Sequence, residues 1–224
     1  SLSGALCAIY ADLKQAMQSR DWKAAALALR VSYDVNRITF GATSDEALGV
    51  LETVGIALDK DGAVIVDDYN RTNVAGIYAV GDVTNRVQLT PVAIREGHAF
   101  ADTVFGSNPR TIDYGTIPTA VFANPPIAGV GMTEEEARAK LSDVKVYKSD
   151  FRAMKNVLAG RNERALYKMI VDGATDKVVG LHLIGPDSAE ILQAAAIAVK
   201  AGLTKQAFDD TVALHPSMAE ELVL

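Results

Sequence analysis

Residues 165–184 read ALYKMIVDGATDKVVGLHLI, and this stretch decides the fold of the second half of the chain. Two apolar runs, residues 165–171 and 178–184, flank Asp172-Gly173. Runs of this length and composition, separated by a turn that contains Asp-Gly, are typical of adjacent antiparallel strands. We therefore predict that the two runs are strands of an antiparallel sheet, joined at Asp172-Gly173.

The segments on either side extend this sheet and cover it with helices. We predict further strands at residues 119–123, 127–132 and 144–151. Thr133 and Glu136 form a helix-capping box that opens a helix to about residue 141. A longer helix runs from Asp187, which caps it with Glu190 three residues on, to about residue 201, with Gly202 just beyond its end. Residues 107–224 thus form an α+β domain, an antiparallel sheet plus helices.

Residues 41–106 have a different, α/β character. A hairpin is predicted at residues 56–66, and a short buried strand at 77–80 ends at Gly81-Asp82. A helix follows from Pro91 to about residue 105, with Thr90 as its N-cap. Such a glycine lets a ligand approach the backbone, and such an aspartate accepts hydrogen bonds from sugar hydroxyls. Gly-Asp is also common in ordinary turns, so the dipeptide alone favours the structural interpretation.

The composition excludes several classes of protein. The chain has 224 residues, 49% of them hydrophobic, and a net charge of −6. Nucleic acid and anionic membrane are therefore poor partners, and no apolar run is long enough to span a bilayer. Cys7 is the single cysteine, which fits a reducing, cytoplasmic setting. The three histidines have no metal-ligand spacing, so no metal site is expected. Residues 1–40 are predicted to be a helical leader of unknown origin.

The last ten residues, HPSMAEELVL from His215, carry the most suggestive chemistry. A carboxylate at Glu220 could orient the His215 imidazole and make it a general acid–base. Ser217 and Glu220 equally match a capping box, which would make the pattern a mere helix start. Both interpretations stay open on the pattern alone.

Three motifs together resemble the C-terminal half of the glutathione-disulfide reductases, within the FAD-dependent pyridine nucleotide-disulfide oxidoreductase family. They are TNVAGIYAVGD at 72–82 with LTPVAIREG at 89–97, FANPPIAGVGMTEEE at 122–136, and HPSMAEE at 215–221. Residues 151–156 (FRAMKN) and 158–164 (LAGRNER) look like the glutathione-specific branch rather than its relatives. The resemblance covers roughly residues 50–224.

The resemblance implies a role for each candidate residue. His215 would protonate the departing glutathione thiolate and Glu220 would orient it, with a cis peptide bond at His215-Pro216. The cofactor FAD would be held by Asp82 beside Gly81, with the backbone of Leu89 and Thr90 near the flavin ring. Glutathione disulfide would contact Met154, Lys155 and Glu221, although some relatives have an aromatic residue at the position of Lys155. A homodimer through residues 107–224 is also implied, because in this family the histidine serves the partner subunit.

The departures from the family pattern limit the expected activity. The chain has neither the Gly-rich FAD fingerprint, nor a Cys-x4-Cys redox pair, nor the second Gly-rich motif for NADPH. We therefore expect a fragment, the tail of an FAD-binding domain at 41–106 plus a dimerisation domain, that is inactive alone and binds little flavin. The alternatives are a stand-alone, non-enzymatic dimerisation module, or another flavoprotein disulfide reductase with different residues around Met154 and Lys155.

Overall fold

The computed structural model describes Gly49, Leu51 and residues 53–223. The predicted leader at 1–40 lies outside the described residues. The chain forms two compact units that divide after Ile112, and each is described by itself.

In the first unit the main element is the helix α1, Thr90–Val104. Its N-cap is Leu89 and Thr90 is its first helical residue, so the predicted capping role of Thr90 is wrong by one position. Thr90 and Pro91 occupy the first turn, where the fixed backbone of proline is tolerated because its missing N–H would have no helical partner.

The predicted strands of the first unit are wrong as regular elements. Among the described residues the 56–66 hairpin is reduced to one antiparallel bridge, Leu58 to Val64, and residues 77–80 to one bridge, Tyr78 to Arg71. Two backbone hydrogen bonds flank the first bridge, from the Asp59 N–H to the Ala63 carbonyl at 2.8 Å and from the Ile65 N–H to the Ala57 carbonyl at 3.1 Å. Asp59 Oδ1 also accepts from the Ala63 N–H at 2.9 Å. A 3₁₀ turn, Gly81–Thr84, then leads toward α1.

The second unit is an antiparallel sheet with helices, and the predicted fold class is confirmed. The strands are β1 Thr119–Val121, β2 Ile127–Gly131, β3 Val144–Phe151, β4 Ala165–Asp172 and β5 Val178–Ile184, in the order β1-β2-β5-β4-β3. The predicted hairpin of residues 165–184 is formed by β4 and β5, and it lies near the centre of the sheet. Its turn is closed by the Asp172 carboxylate, which accepts from Thr175 Oγ1 at 2.6 Å and from the Ala174 N–H at 3.1 Å.

The helices of this unit are α2 Glu134–Lys140, α3 Met154–Leu158, α4 Ser188–Lys200 and α5 Lys205–Asp209. The capping box at the start of α2 is confirmed: Thr133 Oγ1 accepts from the Glu136 N–H, and Glu136 returns the bond to the Thr133 N–H. The predicted cap of α4 is wrong, since the Asp187 side chain accepts no capping bond and its backbone is left-handed (φ +62°). Gly202, at φ +69°, ends α4 as predicted.

The core of the second unit lies between the sheet and α4. Leu181 and Leu183 on β5 and Leu192 on α4 are almost completely buried, and Ala195, Ala196 and Val199 continue the apolar side of the helix. Small alanines let the helix lie close to the strands. This close packing makes the sheet and α4 a rigid support for the loops that connect the strands.

Glu134 at the start of α2 is the centre of a surface ion cluster. Its carboxylate lies 2.8 Å from Arg138 Nη2 and 2.6 Å from Lys168 Nζ on β4. The hydrogen bonds from Lys168 and then Arg138 lower the pKa of Glu134 to about 2. The negative side chain also favours the helix N-terminus, so α2 is attached to the sheet with its charges complementary to the helix dipole.

We expect Gly180→Ala to lower the free energy of unfolding of the chain by about 2–3 kcal/mol, the cost of a forced overlap in a packed sheet. A Cβ at Gly180 would lie 2.0 Å from the Met132 carbonyl oxygen, which is backbone and cannot move aside. Urea unfolding followed by far-UV circular dichroism measures the change.

Gly160→Ala is the matched control. A Cβ at Gly160 meets nothing within 4 Å, and only its left-handed backbone (φ +64°) opposes the substitution. We expect a loss of about 1 kcal/mol there. If both variants lower the free energy of unfolding equally, the close Met132 carbonyl is not the reason that position 180 requires glycine.

Candidate functional site

His215 and Glu220 form a hydrogen-bonded pair, with 2.6 Å between His215 Nδ1 and Glu220 Oε2. A carboxylate only accepts, so Nδ1 carries the proton and Nε2 is left for exchange. The His215 side chain is 62% exposed whereas that of Glu220 is 13% exposed. The half-buried Glu220 thus orients the imidazole through Nδ1, while most of the ring is exposed to solvent.

The capping-box interpretation of the same residues is only half realised. Ser217 Oγ accepts from the Glu220 N–H at 3.2 Å, but the Glu220 carboxylate bonds His215 instead of returning to the Ser217 backbone. The helical structure after Ser217 is a single 3₁₀ turn, Ala219–Leu222. The geometry therefore favours the acid–base arrangement that the sequence left open.

The terminal segment is held in place by Met218. This side chain is 7% exposed and belongs to the core cluster that also contains Tyr167 and Leu192. The His215–Pro216 peptide bond is cis, as the resemblance implies. An apolar anchor three residues after the histidine thus fixes the segment on the sheet while the imidazole faces outward.

A cavity of about 470 Å³ lies beside this segment. Met154 and Lys155 of α3 stand on one side of it, and Pro216 and Ser217 on the other. The Lys155 ammonium lies 3.3 Å from the Asp187 carboxylate. The remaining lining residues are mainly apolar: Ala153, Leu158, Ile191, Met218 and Ala219. The structure therefore brings two of the three predicted substrate residues to the histidine segment.

Glu221, the third predicted substrate residue, points elsewhere. Its carboxylate accepts a hydrogen bond from Ser149 Oγ at 2.5 Å and lines a separate cavity of about 140 Å³.

Tyr167 lines that cavity too, and its buried hydroxyl has no hydrogen-bond partner among the described residues. Burial, reinforced by Asp187 and Glu221, raises the pKa of Tyr167. Sequence reasoning missed this tyrosine, although a hydroxyl-bearing side chain within the apolar run of a predicted strand was a signal for it.

The four predicted cofactor residues flank the loop between the 3₁₀ turn and α1. Gly81 has φ +76°, and a Cβ there would lie 2.9 Å from Ala93 Cβ, so the turn needs glycine to lie against the helix. Asp82 is exposed. Leu89 and Thr90 stand at the start of α1. The Leu89 N–H donates to the Val87 carbonyl at 3.0 Å and Pro91 has no N–H, so Thr90 supplies the N–H that is left for an acceptor. A carboxylate for hydroxyl groups and an N–H for an electron-rich ring are polar groups that fit FAD.

Glu96 in α1 is a second residue that sequence reasoning missed. Its side chain is 1% exposed, and its Oε2 accepts from the Gly81 N–H at 2.5 Å. Its Oε1 lies 3.3 Å from Arg86 Nη2. In the sequence it reads as an ordinary polar helix residue between Arg95 and Gly97, because a buried glutamate has no local signature.

Over the part of the chain that the structure describes, two further classes of site find no support. No group of three or more histidine, cysteine, aspartate or glutamate side chains could hold a metal ion there. None of the described helices is long and apolar enough to cross a membrane.

Comparison with protein families gives two matches. Residues 117–224 match the dimerisation domain of the pyridine nucleotide-disulphide oxidoreductases, and residues 19–97 match the pyridine nucleotide-disulphide oxidoreductase model. The second match begins inside the stretch predicted as a leader of unknown origin, whereas the motifs of the sequence carry the resemblance only from about residue 50.

Individual relatives agree with these matches. The chain is 54% identical over 173 residues to a glutathione reductase of Burkholderia cepacia, covering 77% of this chain and 38% of the relative. It is 51% identical to a glutathione reductase of Pisum sativum (77% of this chain, 31% of the relative) and 46% identical to a trypanothione reductase of Trypanosoma congolense (77% and 35%). The chain thus spans about a third of the length of these relatives.

A solved structure shows the same fold. The HOCl-induced flavoprotein disulfide reductase RclA of Escherichia coli superposes with a TM-score of 0.69 at 32% identity, over 77% of this chain and 40% of that one. Two family matches, identity near one half and a shared fold lead to one conclusion. The chain belongs to the pyridine nucleotide-disulphide oxidoreductases and resembles the C-terminal part of the glutathione reductases.

Proposed function

We propose that this chain supplies the acid–base and the dimer interface of a flavoprotein reductase that uses NADPH to reduce glutathione disulfide. The observation that carries the proposal is the His215–Glu220 pair at 2.6 Å, on a segment that also lines the cavity of Met154 and Lys155. Identity of 54% to a glutathione reductase supports the choice of substrate. The single cysteine favours a cytoplasmic setting for this activity.

The role of His215 follows from its two nitrogens. Glu220 accepts from Nδ1–H and steadies the positive charge of the imidazolium, so Nε2–H becomes the proton donor. When a glutathione disulfide is split, one thiolate departs, and a proton from Nε2 makes it a neutral thiol that leaves without returning. Asp82 and the first turn of α1 would hold FAD, which when bound supplies the electrons of the reduction.

The cavity beside the histidine segment suits a peptide with carboxylates. Met154 offers an apolar contact, and Lys155 offers a positive charge. The ion pair of Lys155 with Asp187 is more than half exposed on both sides, and such pairs contribute little stability. A substrate carboxylate can therefore take over the ammonium group at little cost.

The surroundings of His215 favour a second copy of the chain. Val212 and Leu214, just before the histidine, are 92% and 78% exposed. Exposed apolar side chains that lie together mark interaction surfaces, whereas isolated ones are ordinary. Residues 107–224 include the matched dimerisation domain, so we place a homodimer interface here and His215 at the active site of the partner subunit.

The isolated 224-residue chain should show no glutathione-disulfide reductase activity and should hold flavin far below one per chain. Cys7 is its single cysteine, so no internal dithiol can pass electrons from a flavin to the substrate. NADPH consumption and the flavin-to-protein absorbance ratio of the purified chain measure both. Flavin at one per chain would contradict this expectation.

A reductase chimera tests the function itself. In it, residues 50–224 of this chain replace the corresponding part of the Burkholderia cepacia glutathione reductase. We expect an active dimer, and His215→Ala should lower kcat for glutathione disulfide by roughly 100-fold or more, the usual contribution of a general acid. Steady-state kinetics and sedimentation give the two readouts.

Lys145→Ala is the control for the chimera, because Lys145 is exposed on β3 and lies outside both the cavity of Met154 and Lys155 and the cavity of Glu221. Its kcat should match that of the unsubstituted chimera. A chimera that forms dimers and binds flavin but has no activity would sink the enzymatic proposal and favour the non-enzymatic dimerisation module.

Glu220→Ala tests the orientation of the imidazole in the chain alone. Loss of the carboxylate leaves nothing to hold the proton on Nδ1, so the ring should become a mixture of its two neutral tautomers. Nitrogen-15 chemical shifts of His215 at alkaline pH distinguish the forms. His182, whose Nε2 lies 3.0 Å from the Met132 carbonyl, serves as the internal control and should not change. An unchanged His215 spectrum would remove Glu220 from the proposed mechanism.

A further inference from the structure

Glu96 makes two contacts that the proposed mechanism does not use. It lies in the middle of α1, yet its side chain is 1% exposed. One carboxylate oxygen accepts from the Gly81 N–H at 2.5 Å, and the other lies 3.3 Å from the Arg86 guanidinium. Gly81 begins the turn that carries Asp82, and Arg86 lies in the loop that leads to Leu89 and Thr90. A single side chain therefore contacts both the 3₁₀ turn, at Gly81, and the loop that leads to α1, at Arg86.

The network continues behind Arg86. The guanidinium also donates to Asn70 Oδ1, and Asn70 is 2% exposed with a left-handed backbone (φ +64°). Within the turn, Thr84 Oγ1 donates to the Gly81 carbonyl at 2.8 Å. The loop between the 3₁₀ turn and α1 is thus connected through polar contacts to a buried position earlier in the chain.

The helix presents this carboxylate at the place where the turn comes closest. Ala93 and Glu96 are three residues apart and share one face of α1. A Cβ at Gly81 would lie 2.9 Å from Ala93 Cβ, so the turn is in direct contact with that face. Contact at Ala93 sets the distance between turn and helix, and the bond from Glu96 sets the orientation of the Gly81 peptide.

A buried carboxylate is an expensive way to stabilise a loop. Removing it from water is unfavourable unless hydrogen bonds and an opposite charge offset the loss. An apolar residue would cover the same surface without that cost, but it could not orient a peptide N–H. We infer that the contacts of Glu96 serve to select one conformation of the loop, and not only to shield it from water.

We propose that Glu96 is a positioning residue that fixes the Gly81 turn and the Arg86 loop against α1, so that Asp82 and the first turn of α1 keep the spacing that FAD requires. The part that concerns FAD rests on the proposed function. Glu96 itself acts through Gly81 and Arg86.

Amide hydrogen exchange by NMR on the full 224-residue chain tests the positioning. Glu96→Ala should speed exchange of the Gly81 N–H by about tenfold or more, the factor for losing a hydrogen bond to a charged acceptor. Glu96→Gln keeps an acceptor oxygen and should restore most of the protection. The amide shifts of Asp82, Leu89 and Thr90 should move in Glu96→Ala.

Ala99→Gly is the matched control. Ala99 is buried one turn further along α1. Glycine there lowers the stability of the helix, because glycine is a poorer helix former than alanine. It should not alter the amide chemical shifts of Asp82, Leu89 or Thr90. It should not speed the hydrogen exchange of the Gly81 N–H more than that of other amides. If both variants change the same amides equally, Glu96 is only a stabiliser of α1 and the positioning role is wrong.

The reductase chimera decides the part that concerns FAD. We expect Glu96→Ala to weaken FAD binding by about tenfold or more, with Glu96→Gln near the unsubstituted value and Ala99→Gly unchanged. Faster exchange at Gly81 with unaltered FAD affinity would overturn the cofactor role. An unsubstituted chimera without FAD would overturn the proposed function together with that role, while the exchange data would still decide the Gly81 contact.

Discussion

The second unit depends on the burial of one face of the β4–β5 hairpin. Leu181 and Leu183 point to α4, and the whole helix is oriented by the apolar side that contains Leu192. Met218 adds to the same cluster from the end of the chain. Because side chains alternate along a strand, a shift of one residue in β5 would turn this face to water and release both the helix and the terminal segment. The position of His215 is therefore a consequence of strand register.

Glycines at the strand crossings allow this register to exist. Gly131 on β2 and Gly180 on β5 are paired, and a Cβ on either would overlap a backbone carbonyl, that of Val179 or Met132. The same constraint recurs in the first unit, where Gly81 lies against Ala93. In both units, therefore, a close approach of two chain segments requires glycine.

The sequence predicted the second unit well because its signals are local. Period-two apolar runs gave the bounds of β3 and β5, and the Thr133 box gave the start of α2. It failed where the deciding contact is distant in the chain. The Asp187 side chain goes to Lys155 instead of capping α4, and residues 77–80 pair with Arg71 through one bridge.

The candidate site divides along the same line. The pairing of His215 with Glu220 spans five residues and could be proposed from spacing, although the choice against a capping box needed coordinates. The opposite direction of Glu221, toward Ser149, could not be foreseen, since 72 residues separate the two. Burial of Glu96 and Tyr167 likewise depends on packing that no window of sequence contains.

Exposure separates the two kinds of carboxylate in this chain. A group that supports proton exchange must stand beside a partner that water and substrate can reach, and Glu220, 13% exposed, carries a histidine that is 62% exposed. A group that fixes a shape works best where water cannot compete for its hydrogen bonds, and Glu96 is 1% exposed. Glu96 belongs to the unit with the proposed cofactor segment, and Glu220 to the unit with the proposed acid–base. The two proposals thus assign different tasks to the same residue type, and the exposure of each carboxylate to solvent matches its proposed task.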